Sequence, residues 1–568
     1  MSTARAGGGW AGAAAFLFLN ALFACDVPAD PWSPASLARL SPDALGLLGL
    51  VGLAARPDPR PRRLRLALLA AAVVALRLVR CADTAIPLYF HRPFSLAMDL
   101  PRLPDLLRLI ALTAAPAAAA GLAVAAAGAA VLLGRVVFRA LSRLGEAAGR
   151  LPPARASRLA AAALAVAVAA SLPPSAPPGF APAAAGRLGR ELARLAELPA
   201  ARAEITARFD AAARAAAALR PAFARLEGAA VYVVFVESYG ANAWFDPRLE
   251  REIRQGLEAI AADLTAAGFR AVSALRRAPT AGGGSWLSHA SLASGVRIDT
   301  QLAHDLLPAS ALVPLAGCFR EAGYRTLRAM PGTRWPSAEM GFFGFEETRT
   351  AADFGYAGPA FGFSPVPDQY VLEWVGRRTA GTERVFVEAI LTGSHTPFDR
   401  RAPYLADWEA IGDGRIYRAF ESAGGAAAAE SLAAHAAYGA VLLDSLQAVF
   451  GFALRHLRGN ELLIVLGDHA PPLEIPAGVD PFAVPVHVVT RREPFLAPFA
   501  ARGFRPGLPP PPSPAPPGLE SLFWDLLGGF SQAAAEAAPE AAGDVSASRS
   551  PGRQSPTARP GRGDPPPG

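Results

Sequence analysis

The stretch AVYVVFVES, residues 230–238, is a run of β-branched and aromatic residues that ends in two polar residues. A continuous apolar run of this kind is typical of a strand that is buried on both faces of a parallel sheet. An amphipathic helical segment follows at 251–269, and further apolar runs alternate with helical segments towards the C-terminus. This alternation predicts one α/β domain over residues 229–530.

Three of the predicted strands end in residues that bind metals or phosphate in many proteins. The first ends at Glu237, the run VFVEAILTGSH leads to His395, and the run LLIVLGDH ends in Asp468 and His469. Ligands of open α/β sheets lie beyond the carboxyl ends of the strands, so we expect these side chains to meet at one sheet edge. Carboxylates and imidazole are suitable ligands for Zn²⁺ or Mn²⁺, and the sequence leaves the choice of metal open.

A glycine run followed by a serine supplies a candidate nucleophile. In PTAGGGSWLSHASLASG, residues 279–295, Ser285 follows three glycines and begins a helical pattern. The backbone N–H groups at a helix N-terminus favour an anion, and a nearby metal can lower the pKa of a hydroxyl. Two alternatives stay open here: Ser285 is only a helix cap, or Thr280 is the true nucleophile. His289, in the same segment, either faces the site or packs in the core.

The first 175 residues carry most of the apolar excess of the chain. Apolar stretches lie at 10–27, 41–55, 64–82, 109–134 and 157–173. A helix of about 17–25 apolar residues spans a bilayer, so these stretches predict five spans, although the first alone would also fit a cleaved signal peptide. The loops 56–65 and 135–158 are rich in arginine, which predicts that both are cytoplasmic. Everything after residue 175 is then expected outside the cytoplasm.

The composition excludes several classes of protein. Hydrophobic residues make up 52% of the chain and charged residues 18%, the net charge is +7, and there is no lysine. The arginines are spread along the chain, which argues against a nucleic-acid partner, and three cysteines exclude a disulfide scaffold. The predicted order is a transmembrane domain (1–175), a juxtamembrane helical linker (176–228), the catalytic domain (229–530) and a disordered Pro/Ala/Gly-rich tail (531–568).

These motifs resemble a known superfamily. SWLSHASLASG resembles the sulfatase signature, C/S-x-P-x-R followed by A-S-L-L-T-G, and LGDHAPP resembles the metal-binding Asp-His of the alkaline phosphatase/sulfatase superfamily. FVES and GSHTPF resemble its membrane branch, the lipoteichoic-acid synthases and phosphoethanolamine transferases. That branch has five N-terminal spans before an outward-facing catalytic domain. The resemblance therefore implies a multi-span helical membrane domain joined to an alkaline-phosphatase-like, or sulfatase-like, α/β domain.

The resemblance also implies roles for single residues. It implies one divalent metal ion, Zn²⁺ or Mn²⁺, held by Glu237, Ser285, Asp468 and His469. Ser285 would in addition be the nucleophile, where the branch commonly has threonine. His395 would contact the substrate phosphate, and Arg334 in PGTRWPS would help to bind the headgroup.

The chain departs from the sulfatase pattern at two positions. Leu287 and His289 stand where the machinery that forms formylglycine reads Pro or Ala and then Arg. We therefore expect Ser285 to stay an unmodified alcohol, which favours a phospho-enzyme over hydrolysis of sulfate esters.

The sequence as a whole predicts a multi-pass protein of the cell inner membrane with a periplasmic, metal-dependent phosphotransferase domain. Its donor would be a membrane lipid with a phosphoglycerol or phosphoethanolamine headgroup, and its acceptor an envelope glycan or lipid. An extracytoplasmic hydrolase of phosphate or sulfate esters is the alternative function. A membrane scaffold that retains an inactive site is a third, non-enzymatic reading.

Overall fold

The computed structural model describes most of the chain between residues 3 and 531. The described ranges are 3–25, 33–53, 59–90, 93–100, 103, 116–173, 175–219, 221–334, 338–423 and 431–531. Apart from its first residue, the tail predicted to be disordered lies outside the described residues.

The N-terminal part of the described chain is helical. Its main helices are α1 (Thr3–Ala24), α2 (Pro42–Leu53), α3 (Pro59–Phe90), α4 (Pro116–Gly149), α5 (Pro153–Ser171) and α6 (Ala184–Leu219). Short helical turns lie at Pro34–Leu37 and Leu96–Asp99. Where the structure describes them, the five apolar stretches of the sequence lie mostly in α1 to α5, one in each helix. Helix α2 packs against α5, and both α1 and α3 pack against α4.

Two of these segments, Ala123–Gly149 and Pro153–Ser171, are long and apolar enough to cross a membrane. The apolar segments Trp10–Ala24 and Pro42–Leu53 are shorter. A third long apolar segment of the described chain, Ala434–His456, belongs to the α/β domain, where 72% of its most apolar window is buried. Length and composition therefore mark the N-terminal region as the part of the chain that can enter a bilayer.

Helix α6 connects the N-terminal helices to the α/β domain. At its first turn, the Asp43 carboxylate accepts hydrogen bonds from the backbone N–H groups of Ala184 and Ala185, both at 2.8 Å. Further along, Ile205 and Phe209 are buried in a cluster that also contains Ile298. The second half of α6, which the sequence assigns to a linker, thus packs on the α/β domain.

In the described part of the chain, one mixed sheet of eight strands forms the centre of the α/β domain. The strands are β1 (Val231–Val236), β2 (Arg270–Arg277), β3 (Arg325–Met330), β4 (Glu347–Thr350), β5 (Val385–Ile390), β6 (Leu462–Gly467), β7 (Ala483–Thr490) and β8 (Arg505–Pro506). Their order across the sheet is β4-β3-β5-β1-β6-β7-β2-β8. The first five in this order are parallel, whereas β7 is antiparallel to β6 and β2, and β8 is antiparallel to β2.

Helices cover both faces of this sheet. They are α7 (Glu250–Ala266), α8 (Ser285–Ser294), α9 (Gln301–Leu306), α10 (Leu315–Glu321), α11 (Asp368–Thr379), α12 (Ser431–His456) and α13 (Ser521–Phe530), and shorter turns lie at Asn242–Phe245 and Ala497–Ala500. Along β1, Tyr232 and Val234 belong to the core cluster that includes residues of α7, α11 and α12. Val233 and Phe235 belong to the opposite cluster, with residues of α8, α10 and α13. Burial on both faces explains why β1 is apolar throughout, and the predicted α/β domain is confirmed.

Candidate active site

The site lies at the carboxyl ends of the central strands. Strand β1 pairs with β6 in parallel, and Val236 is the partner of Gly467 in their register. The next residue on each strand is Glu237 or Asp468, so these two acidic residues leave the sheet side by side. His469 follows at once, and all three side chains are buried.

The three side chains form a compact cluster. His469 Nε2 lies 3.4 Å from Glu237 Oε1 and 3.6 Å from Asp468 Oδ2. One ligand atom from each residue lies within 4.8 Å of the others. The carbonyl of Ala470, which can only accept, lies 2.8 Å from His469 Nδ1, so Nδ1 carries the proton and Nε2 offers its lone pair to the cluster.

The second oxygen of Asp468 is held by the backbone. Asp468 Oδ1 accepts hydrogen bonds from the N–H groups of Ser238 at 2.8 Å and His469 at 2.7 Å. Ser238 has a φ of +57°, a left-handed conformation that few non-glycine residues adopt, and it turns the chain sharply after β1. The Ser238 hydroxyl donates to Glu237 Oε1 at 3.0 Å. These contacts fix the carboxylates before any ligand binds.

Ser285 is the first residue of α8, and its hydroxyl reaches the cluster. Its Oγ lies 3.0 Å from His469 Nε2 and 3.3 Å from Glu237 Oε2. The three glycines before it, residues 282–284, have φ values of +71°, +146° and +82°, which explains why glycine is needed there. The Thr280 hydroxyl donates to the Gly283 carbonyl at 2.6 Å instead. Of the two candidate nucleophiles, Ser285 is the one in the cluster.

The electrostatics of the cluster favour a bound cation. Burial and the neighbouring charge of Glu237 raise the pKa of Asp468 to about 6. For His469, burial lowers the pKa, but the charges of Asp468 and Glu237 outweigh burial and raise it overall. Two buried carboxylates that repel each other, an imidazole nitrogen with a free lone pair and a hydroxyl are a donor set that fits Zn²⁺ or Mn²⁺.

His395 lies in the loop after β5, half-buried beside the cluster. Its Nδ1 lies 2.5 Å from the Thr396 carbonyl, so Nδ1 carries the proton and Nε2 accepts hydrogen bonds in the neutral ring. The ring stacks on Phe363 with centroids 3.7 Å apart. Burial lowers the pKa of His395, whose charge also interacts with those of Asp468 and His469.

Arg334 is exposed in the loop after β3. Two residues earlier in this loop, a Cβ on Gly332 would lie 2.7 Å from the side chain of Thr392 and 3.5 Å from the ring of Phe363. The loop of Arg334 therefore borders the loop of His395, although Arg334 is not part of the buried cluster.

His289 packs beneath the site. It is buried, its ring meets that of Phe235 edge-on with centroids 4.5 Å apart, and burial lowers its pKa to about 3. Its Nε2 has no hydrogen-bond partner among the described residues. His289 is therefore a neutral core residue that interacts electrostatically with Asp468.

Sequence reasoning missed two serines that support the site. The Ser288 hydroxyl donates to the Asp468 carbonyl at 2.5 Å, and the Ser394 hydroxyl donates to the Glu237 carbonyl at 2.6 Å. Each lies within three residues of a predicted site residue, Ser285 or His395, and this proximity was the one available signal.

Comparisons with known proteins give fold likenesses only. No family model matches the chain, and no curated protein matches it. Among solved structures it is similar to the lipoteichoic acid synthase LtaP from Listeria monocytogenes, with 14% identity over 46% of this chain and 65% of that one, at a TM-score of 0.30. A protein in the alkaline phosphatase superfamily from Vibrio parahaemolyticus matches with 14% identity over 46% of this chain and 61% of that one, at a TM-score of 0.31.

A third similar structure is the Streptococcus pyogenes phosphoglycerol transferase GacH in complex with sn-glycerol-1-phosphate. It matches with 11% identity over 58% of this chain and 91% of that one, at a TM-score of 0.35. The chain thus spans less than two thirds of the length of the first two of these structures. Because all three TM-scores are low, the function proposed next rests on this chain's own residues.

Proposed function

We propose that this chain is a membrane-anchored, metal-dependent phosphotransferase of the alkaline phosphatase/sulfatase superfamily, with Ser285 as its nucleophile. One observation carries the proposal. Ser285 Oγ, at the N-terminus of α8, lies 3.0 Å from His469 Nε2 and 3.3 Å from Glu237 Oε2. A hydroxyl placed between an imidazole, a carboxylate and helix N–H groups is arranged to attack an anionic phosphorus centre.

The acidic residues and His469 provide the place for a divalent metal. Glu237, Asp468 and His469 would hold the ion, with Ser285 next to it. When bound, the ion lowers the pKa of the serine hydroxyl and offsets the charge that develops on the phosphoryl oxygens.

Two displacement steps account for transfer. In the first, Ser285 Oγ forms a bond to the donor phosphorus and the P–O bond to the diacylglycerol breaks. The serine hydroxyl proton passes by way of Glu237 Oε2 to the diacylglycerol oxygen, so diacylglycerol leaves as a neutral alcohol. In the second, a hydroxyl oxygen of the acceptor bonds to the same phosphorus, the P–Oγ bond to Ser285 breaks, and the proton of the acceptor hydroxyl returns to Ser285 Oγ. The N–H groups of the first turn of α8 face the phosphoryl oxygens in both steps, so catalysis depends mainly on positioning and charge.

His395 and Arg334 are the proposed substrate-binding residues. In its neutral tautomer, His395 Nε2 accepts a hydrogen bond from a substrate hydroxyl, and once protonated it donates to a phosphoryl oxygen. Arg334 lies exposed in the loop that borders His395, where its guanidinium is free to reach the headgroup phosphate.

The membrane arrangement belongs to the same proposal. Residues 1–175 would cross the inner membrane five times, and residues 229–530 would form the catalytic domain in the periplasm. Residues 176–228 would link the two. The donor is then a lipid of the same membrane, with a phosphoglycerol or phosphoethanolamine headgroup. The acceptor is an envelope glycan or lipid.

Hydrolysis of the same esters is the second candidate function. Ser285 is half-buried, so water can reach the phospho-substituted serine as easily as an acceptor hydroxyl can. Released headgroup phosphate in the absence of an acceptor distinguishes the hydrolase from the transferase.

The test is intact-protein mass spectrometry on the purified full chain with a phospholipid donor. We expect an added mass of the headgroup phosphate that maps to Ser285, no adduct in Ser285→Ala, and residual activity in Ser285→Thr, which keeps the hydroxyl. Thr280→Val is the matched control and should still form the adduct. An adduct on Thr280 would overturn the assignment, and a formylglycine at 285 would replace the transferase with a sulfatase.

A further inference from the structure

A buried carboxylate outside the cluster holds the turn that leads to His395. Asp368 is the first residue of α11, and its Oδ1 accepts the backbone N–H groups of Thr392 at 3.0 Å and Gly393 at 2.9 Å. Its Oδ2 accepts the hydroxyl of Ser445 at 2.7 Å. Both carboxylate oxygens are therefore occupied by donors from other segments.

Gln369, the next residue of α11, holds the chain beyond His395. Its Oε1 accepts the N–H of Leu405 at 2.8 Å, and its amide nitrogen donates to the Leu405 carbonyl at 2.7 Å. Two consecutive residues at one helix start thus fix the chain on both sides of His395.

The turn at residues 392–394 is tightly packed. A Cβ on Gly393 would lie 2.5 Å from Asp368 Oδ2, so the carboxylate sits directly against the backbone there. The Thr392 hydroxyl pairs with that of Ser364 at 2.8 Å. The Ser394 hydroxyl donates to the carbonyl of Glu237 and ties the same turn to the candidate metal ligand.

The burial of the Asp368 carboxyl group among polar partners indicates a role beyond packing. The side chain is only 5% exposed, and no described residue forms a salt bridge with it. A buried carboxylate is costly unless several hydrogen bonds compensate for lost hydration, and here three donors do so. Burial raises the pKa of Asp368, and the hydrogen bonds from Ser445, Thr392 and Gly393 lower it but offset only part of the effect of burial.

We propose that Asp368 is a positioning residue for substrate binding, which fixes the turn 392–394 so that His395 faces the phosphoryl group at a set distance from Glu237. This inference rests on the proposed function, because it takes His395 as a substrate-binding residue. Misplacement of a binding group by about 1 Å is enough to lower activity by as much as 100-fold. Loss of Asp368 should therefore act through His395.

The experiment is a double-mutant cycle on the full chain in detergent, with bis(para-nitrophenyl) phosphate as the probe. We expect Asp368→Ala to raise KM by roughly ten-fold or more, as His395→Ala does, while bound metal stays unchanged. The KM of the double variant should be no higher than that of the single variant with the higher KM. Asp368→Asn should keep most activity, because its amide oxygen accepts both N–H groups and its NH₂ donates to Ser445.

Two further measurements keep the outcome decisive. In Gly393→Ala the added methyl group would displace the Asp368 carboxylate, so this variant should raise KM as Asp368→Ala does. Combined with His395→Ala, it should raise KM no further than His395→Ala alone. Hydrogen exchange of the peptide around residues 391–396 should speed up in Asp368→Ala, and this readout does not depend on turnover. Additive KM effects, or unchanged exchange, would overturn the positioning role. Loss of the proposed function would instead appear as full activity in Ser285→Ala.

Discussion

The Ser288 hydroxyl donates a hydrogen bond to the backbone carbonyl of Asp468 at 2.5 Å, and both residues are buried. The bond joins α8, which begins at Ser285, to the loop that follows β6. The bond therefore ties the helix that begins with the proposed nucleophile to the segment that carries Asp468 and His469, although 180 residues separate the two bonded partners in the chain.

Removal of this hydrogen bond should lower both the stability of the fold and the rate of catalysis. Ser288→Ala leaves the Asp468 carbonyl without its donor, which costs about 1–3 kcal/mol of stability. We expect a lower thermal midpoint and a kcat reduced by roughly ten-fold, because Ser285 shifts relative to His469. Ser294→Ala, on the last turn of the same helix, is the control and should keep its kcat. A Ser288→Ala enzyme with wild-type kcat would show that the bond does not position the nucleophile.

The acidic pair should control metal content. Glu237→Gln combined with Asp468→Asn replaces two charged ligands with neutral amides, which are poorer donors to a divalent ion. Elemental analysis should find close to one ion per chain in the wild type and little in the double variant. The control variant is Glu474→Gln, at an exposed acid in the same loop after β6, and it should bind metal normally. Removal of the metal with a chelator should lower the thermal midpoint of the wild type and leave the double variant unchanged.

The topology has a direct test in reporter fusions. The arginine-rich loops at 56–65 and 135–158 should be cytoplasmic, and the α/β domain should be on the other side. Fusions after residue 60 and after residue 200 should therefore report opposite compartments, with a periplasmic signal from the second. Equal signals from both fusions would contradict the five-span arrangement.

A buried histidine should make the fold sensitive to acid. His487 on β7 lies 2.8 Å from the Tyr239 hydroxyl and 2.7 Å from Ser273 Oγ, and burial lowers its pKa from 6.5 to about 3. In the unfolded chain His487 binds a proton below about pH 6.5, whereas in the folded chain it does so only below about pH 3. The free energy of unfolding therefore falls as the pH drops from about 6.5 to about 3.

The expected slope is about 1.4 kcal/mol per pH unit for this one group. Thermal unfolding in detergent between about pH 7 and pH 5 measures it. His487→Gln cannot take up a proton, so its midpoint should fall less steeply over the same range. An identical pH dependence in the variant and the wild type would assign the acid sensitivity to other groups.

The sequence predicts the strands that carry the site better than the strands that flank it. β1 and β6 are uninterrupted apolar runs followed directly by acidic residues, because they are buried on both faces and end at the site. β5 is apolar except for Glu388, which pairs with Arg328 of β3. β2 reads RAVSALRR, with arginines at both ends, because it lies near the sheet edge where Arg276 can pair with Asp525. Its residue pattern alone does not identify a strand.

The supporting contacts were beyond sequence reasoning for a physical reason. Ser288, Ser394 and Asp368 act on backbone atoms of segments that are distant in the chain, and any residue can supply a backbone carbonyl or N–H. Asp368 also follows a proline at a helix start, where an acidic residue is common for local reasons. Only the folded arrangement shows that its partners are Thr392 and Gly393.

The length of helix α6 sets how the α/β domain is placed relative to the N-terminal helices. It has 36 residues, which corresponds to about 54 Å if straight, and it is capped by Asp43 at one end and packed through Ile205 and Phe209 near the other. Each residue turns a helix by about 100°, so the number of residues between these contacts sets the rotation of the α/β domain relative to the N-terminal helices. An insertion or deletion there would rotate the proposed active site relative to the N-terminal helices without changing any residue within the site.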